Sequence, residues 1–141
     1  MKVIIVGGTK DVKNIETKYY SIRNSYLSSN EKELFWPEVR AVNGAVVPLH
    51  PGLLFDYVTD KINELKSDED ATLFILTYSE YALNAARIAV IKDPTVIVKV
   101  YQYDDEGEHI TRVNENGELT QWISGVYDTY DTEIDMMFSL R

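Results

Sequence analysis

Two runs in this chain leave little choice of architecture. Lys2-Val3-Ile4-Ile5-Val6 and Thr72-Leu73-Phe74-Ile75-Leu76-Thr77 are continuously apolar or β-branched rather than alternating, as in a strand buried on both faces. Such strands pair in parallel and need helices on both sides of the sheet. Helical patterns follow each run. After Gly7-Gly8, the residues Val12, Ile15, Tyr19, Ile22 and Tyr26 recur at helical spacing, which predicts a helix over 11–27 with one buried stripe. After the second run, Ser79 is placed to cap a helix, with Glu80 in its first turn favoured by the helix dipole. Ala82, Ala85, Ala86 and Ala89 allow that helix to pack closely until Asp93-Pro94 ends it.

The intervening segment is less regular. Ser28-Ser29-Asn30 stops the first helix, Pro37 interrupts any regular element, and Asn43-Gly44 reads as a turn. Residues 28–44 therefore receive no assigned role. Ala45-Val46-Val47 leads into Pro48-Leu49-His50-Pro51, where Pro51 suits the first turn of a helix. Leu53, Leu54, Tyr57, Val58, Ile62 and Leu65 give that helix its buried stripe, ending near Lys66. Beyond Pro94 the period becomes two. Strands are predicted over 95–103, 109–113 and 119–122, joined by a turn at Asp104-Asp105-Glu106-Gly107 and a hairpin turn at Asn116-Gly117. Tyr130, Ile134, Met137 and Phe138 mark a closing amphipathic helix. The expected fold is one α/β domain over 1–141: a mostly parallel sheet flanked by helices, with a C-terminal antiparallel β-meander and a final helix.

A chain of 141 residues buries a core without metal or disulfide staples. It contains no cysteine, which removes disulfides, thiolate metal sites and a cysteine nucleophile, and fits a reducing cytoplasm. The opening apolar run is too short for a signal peptide, and no stretch approaches the ~20 apolar residues of a membrane span. No membrane association is expected. The formal charge of −9 repels phosphate backbones, so nucleic acid is not an expected partner. An acidic mimic of DNA is the one reading in which that charge is itself the function. Lys10, Lys13, Lys18 and Arg23, interrupted by Asp11 and Glu16, read as a solvated helix face.

From about Asn43 onward, the order of elements and their landmark residues resemble the C-terminal half of ABC-type AAA ATPases, nearest the stand-alone members related to the overcoming-lysogenisation-defect and SMC-like families. Members carry a Walker B strand ending in E-x-P-E, two residues, then L-H-P at the D-loop. A helix follows, then a strand ending in a T-H-S-E switch segment, another helix, and a β-meander whose last strand carries a tryptophan. The counterparts here are Leu49-His50-Pro51, the helix over 52–66, the strand over 72–76, Thr77-Tyr78-Ser79-Glu80, the helix over 81–91, and a meander ending at Trp122. The resemblance divides the chain into a strand–helix–loop opening, 1–44, and an ATPase-like C-terminal lobe, 45–141.

The departures carry the functional expectation. Aligned on Leu49-His50-Pro51, the residues Asn43, Gly44, Ala45 and Val46 fall where the family has E-x-P-E. Hydrolysis needs one acid near Mg²⁺ and another to polarise water; asparagine can ligate a metal only weakly, and valine cannot orient water. Tyr78 replaces the histidine that contacts the γ-phosphate in such enzymes. Val6-Gly7-Gly8-Thr9-Lys10 lacks the G-x-x-x-x-G-K-[ST] spacing of a phosphate loop. The resemblance thus implies a scaffold with no catalytic residue, metal or cofactor, acting by protein binding. Leu49, His50 and Pro51 (D-loop-like) and Tyr78, Ser79 and Glu80 (switch-like) are its interaction candidates, because relatives use these surfaces to dimerise. The partner would be a complete ATPase or a second copy, which suits a phage or mobile-element accessory protein. The alternative is a nucleotide-binding protein or weak NTPase, in which Gly7, Gly8, Thr9 and Lys10 cradle a phosphate of ATP, with Mg²⁺, at a helix start.

Other residues have plainer expected roles. His50 is expected to cap a helix or to be partly buried, and His109 to lie exposed on a hairpin strand. Two histidines far apart, without cysteine, do not suggest a metal site. Asp104, Asp105, Glu106 and Glu108 lack the ligand spacing of a calcium loop and read as a solvated turn. Ser79 lacks a G-x-S-x-G setting and reads as a cap. Glu38, in Trp36-Pro37-Glu38, is either a displaced Walker B acid or, as expected here, part of an exposed loop. Ten tyrosines stand against four phenylalanines. Tyr19, Tyr20, Tyr26, Tyr101, Tyr103, Tyr127 and Tyr130 exceed what one core should hold, which leans toward tyrosine at a protein interface.

Overall fold

The computed structural model describes residues 1–9, 12–43 and 45–121. In chain order its elements are β1 (Lys2–Gly8), α1 (Ile15–Asn24), β2 (Asn30–Phe35), β3 (Val39–Val42), β4 (Ala45–Pro48), α2 (Pro51–Leu65), β5 (Ala71–Leu76), α3 (Glu80–Lys92), β6 (Ile97–Asp104) and β7 (Gly107–Arg112). A five-stranded sheet has the order β2-β5-β1-β6-β7. Its first four strands are parallel, and β7 returns antiparallel to β6. The expected α/β class, with a mostly parallel sheet between helices and an antiparallel end, is the observed one.

The two apolar runs occupy the middle of this sheet. Every residue of β5 is buried, as are Val3, Ile4, Ile5 and Val6 of β1. Side chains alternate between two cores. Val3, Ile5, Leu73 and Ile75 pack with Leu54, Val58, Leu83 and Ala86 from α2 and α3. Ile4, Val6, Phe74 and Leu76 pack on the other face with Ile15, Tyr19 and Ile22 from α1. At the end of β1 the backbone of β6 comes close: a Cβ on Gly8 would meet the Tyr103 carbonyl oxygen at 3.1 Å and the Ile15 side chain at 3.4 Å.

Helix limits follow local chemistry. His50 caps α2 through its side chain, which accepts a hydrogen bond from Gly52 N at 3.1 Å, and Pro51 takes the first helical position. Ser79 caps α3 by accepting from Tyr81 N at 3.1 Å. Both caps were expected. The first helix is shorter than its apolar stripe suggested; Asn14, left-handed at φ 63°, precedes its first residue.

Three features depart from the sequence reading. Residues 30–35, left without a role, form β2, the strand at one edge of the sheet, in parallel register with β5. Ala45–Pro48 does not join the central sheet; it pairs only with Val39–Val42, in a separate antiparallel hairpin. The third meander strand reduces to a bridge between Val113 and Leu119, plus a bond from Thr120 N to Arg112 O at 3.4 Å. Trp122 and the closing helix lie outside the described residues. Asn116-Gly117 does turn the chain, with Gly117 at φ 77° and its N–H on Asn114 O at 2.9 Å.

The small side chains of α3 let it lie close to α2 and the sheet, with Ala82, Ala85 and Ala86 all at 1% exposure or less. Ala86→Leu should therefore overpack this layer and cost about 1–3 kcal/mol, read as a lower urea midpoint.

Candidate functional site

β1 and β5 are neighbours, yet the helices that follow them leave toward opposite faces of the sheet. Their loops therefore diverge at the carboxyl end, the place of the ligand crevice in open α/β sheets. Here the structure brings two predicted groups together. Gly7-Gly8-Thr9 ends β1, and Thr77-Tyr78-Ser79-Glu80 follows β5. Thr77 N donates to Val6 O at 3.0 Å and ties the two strand ends. Lys10 lies outside the described residues.

The third group arrives through a residue that the sequence placed in an exposed loop. Glu38 is partly buried, and its carboxylate accepts from Thr77 Oγ1 at 2.6 Å and from Tyr78 N at 3.0 Å. Its backbone carbonyl accepts from Leu49 N at 2.7 Å. The Leu49 segment and the Tyr78 segment are thus held on one side of the molecule by a single residue. Thr77 Oγ1 accepts in turn from Ser79 N at 3.0 Å. Burial pushes the Glu38 carboxyl above its usual range, against the pull of these hydrogen bonds. Glu38 follows β2 and Pro37 and lies against the end of β5. Asn43, Ala45 and Val46, which the resemblance aligned with the acidic motif, belong to the β3–β4 hairpin instead. The one sequence signal for Glu38 was W-P-E itself.

Trp36 shapes the mouth of the site. Its backbone is left-handed at φ 51°, which is rare for a bulky side chain and held only where several contacts fix it. Trp36 N donates to Leu76 O at 2.9 Å, its ring stacks on Tyr78 at 4.5 Å between centroids, and Nε1 donates to Glu16 at 3.1 Å. Phe35, Tyr19 and Tyr20 continue the aromatic contacts along β2 and α1.

The proposed phosphate cradle is differently employed. Gly8 is still within the strand, opposite Tyr103, whose backbone approaches closely. Thr9 N donates to Tyr103 O at 3.0 Å rather than facing the crevice. Helix α1 begins only at Ile15. Among the described residues no three His, Asp or Glu side chains converge as a metal site.

Other expectations resolve as follows. His109 is not exposed: it is partly buried, with Nε2 3.0 Å from Asp104 Oδ1, a contact that holds the Asp104 carboxyl below its usual range. Asp104 also accepts from Glu106 N and Gly107 N at 2.9 and 3.1 Å and organises the turn. Most of the tyrosines serve the core. Tyr19, Tyr101 and Tyr103 are buried beneath α1, Tyr26 and Tyr101 share a hydroxyl hydrogen bond at 2.9 Å, and Tyr19 OH donates to Glu33 at 2.8 Å. Tyr20 and Tyr57 are exposed; Tyr127 and Tyr130 lie outside the described residues.

Beside the crevice, an open groove of about 470 Å³ runs along β2. Leu34 and Leu49 line it together with Val39, Leu53 and Tyr57, the last three all at least 40% exposed. No helix among the described residues is long and apolar enough to cross a membrane. Comparison of the chain with protein-family models, with curated proteins and with solved structures finds no match.

Removing the Glu38 carboxylate leaves the Thr77 hydroxyl and the Tyr78 N–H without their acceptor. Glu38→Ala should cost about 1–3 kcal/mol for each group left unpaired and buried. The pH dependence has a definite sign. Because burial raises the folded-state value, the stability this group supplies is complete below its unfolded value and is lost as pH rises through the folded one. As pH rises above the ordinary carboxylate range, wild type should lose stability relative to Glu38→Gln, measured by urea unfolding.

Proposed function

We propose that this chain is a non-catalytic protein-binding module, an α/β scaffold of the kind it resembles in ABC-type AAA ATPases, used for contact rather than hydrolysis. The observation that carries this reading is the apolar groove beside the edge strand β2. Soluble domains rarely leave large side chains contiguous at the surface unless another molecule covers them, and here Val39, Leu53 and Tyr57 share one groove with Trp36. The groove adjoins both interaction candidates, since Leu49 lines it and Tyr78 stacks on Trp36. The full use of both Glu38 carboxylate oxygens by internal donors supports a structural acid over one that activates water. A complete ATPase of the parent family and a second copy of this chain are the partner classes the resemblance suggests.

The test uses capture from lysate with wild type, with Leu53→Asp and with Ile110→Asp, the last on the opposite sheet edge. Both substituted side chains are exposed, so stability should change by no more than about 0.5 kcal/mol. Specific partners should be lost with Leu53→Asp and kept with Ile110→Asp. An unchanged set of partners for both variants would remove the reading. Purified protein should show no Mg²⁺-dependent ATP turnover, and a rate abolished by Glu38→Gln would instead establish an enzyme.

A further inference from the structure

We propose that β2 takes an added strand from a partner protein, and that the strand alternates apolar side chains with lysine or arginine. This rests on the protein-binding reading and names its mode and the chemistry of the partner. Among the described residues β2 is paired on one side only, to β5. Its outer row of backbone N–H and C=O groups is therefore a template for pairing. Asn30–Phe35 contains no proline to block such pairing.

The two sides of this edge ask for different side chains. Leu34 points toward α2 and its core, and beyond it lies the groove walled by Leu49, Leu53 and Tyr57. Alternate residues of an added strand would enter that groove and must be apolar. Glu31 and Glu33 point the other way, toward α1, where Arg23 lies 3.7 Å from Glu31 and 2.6 Å from Glu33. One arginine serves two carboxylates there, and Glu31 is held only loosely. The intervening residues of an added strand would lie across from these acids, where an opposite charge stabilises the pair. Asp56 and Asp60 lie exposed on α2, the helix that carries Leu53 and Tyr57, without an ion pair among the described residues. The net charge of −9 adds a long-range attraction for a cationic segment.

The same pattern argues against a second copy at this edge. Directly opposed residues of antiparallel strands share a face. Two symmetric registers of paired β2 strands are equally long: in one Lys32 faces the Lys32 of the other copy and Glu31 faces its Glu33, and in the other Glu33 faces Glu33. Like charges directly opposite are destabilising, and charged edges are a common guard against self-pairing.

The probe is a blocked peptide of four Val-Lys repeats, compared with its Val-Glu counterpart and with a block isomer of four valines followed by four lysines. The alternating basic peptide should bind at least about tenfold more tightly than either. Glu31→Lys should weaken the Val-Lys peptide and strengthen the Val-Glu one. Leu53→Asp should weaken the Val-Lys peptide, Ile110→Asp should not, and amide shifts should concentrate on β2 and α2. Equal binding of the block isomer, insensitivity to Leu53→Asp, shifts centred elsewhere, or no binding would each overturn strand addition. If partners captured from lysate still depend on Leu53 while the peptides fail these criteria, the binding module stands and its strand-addition mode falls. If capture is also indifferent to Leu53, both fall.

Discussion

Everything in this molecule follows from two strands that have no exposed face. β1 and β5 bury both sides, so apolar layers must be supplied above and below them, and the chain must cross the sheet to deliver those layers. α1 covers one face, α2 and α3 the other. That division separates the loops after β1 and β5 at the carboxyl end, the place of the crevice in such sheets. Polar groups at the crevice are then bound to one another, through Val6, Thr77, Tyr78 and Glu38.

The parts of the fold legible in the sequence are those whose burial is complete. β1, β5 and the stripes of the three helices carry their environment in their composition, and the caps His50 and Ser79 follow from local hydrogen-bonding chemistry. β2 was not legible. Asn-Glu-Lys-Glu-Leu-Phe has one buried side chain, and its strand conformation comes from pairing with β5, a long-range contact that leaves no periodic trace. Glu38 was misplaced for a related reason. Tryptophan and proline beside it suggested solvent, but the chain turns at Trp36 with a positive φ and brings Pro37 and Glu38 inward. The tyrosines misled in the opposite direction: hydroxyls bonded to Glu33, Glu108 and one another make phenol acceptable in the α1-side core.

The two edges of the sheet are finished differently. β7 is antiparallel to β6, and the chain after it folds back through Val113, with Thr111 and Thr120 joined by their hydroxyls. Among the described residues β2 receives no such return; the chain leaves it for a hairpin joined to the sheet through Glu38 and Leu49. An edge with two carboxylates on one face, and Lys32 and Leu34 before an apolar wall on the other, is selective in what can sit beside it.

Trp36 belongs to both regions at once. It lines the groove along β2 and stacks on Tyr78 at the end of β5, while its indole nitrogen is anchored to α1 through Glu16. A change in its surroundings on one side cannot leave the other untouched. The same indole is an intrinsic fluorophore, so its emission senses the solvation of the groove and the geometry of the crevice together, and cannot report one without the other.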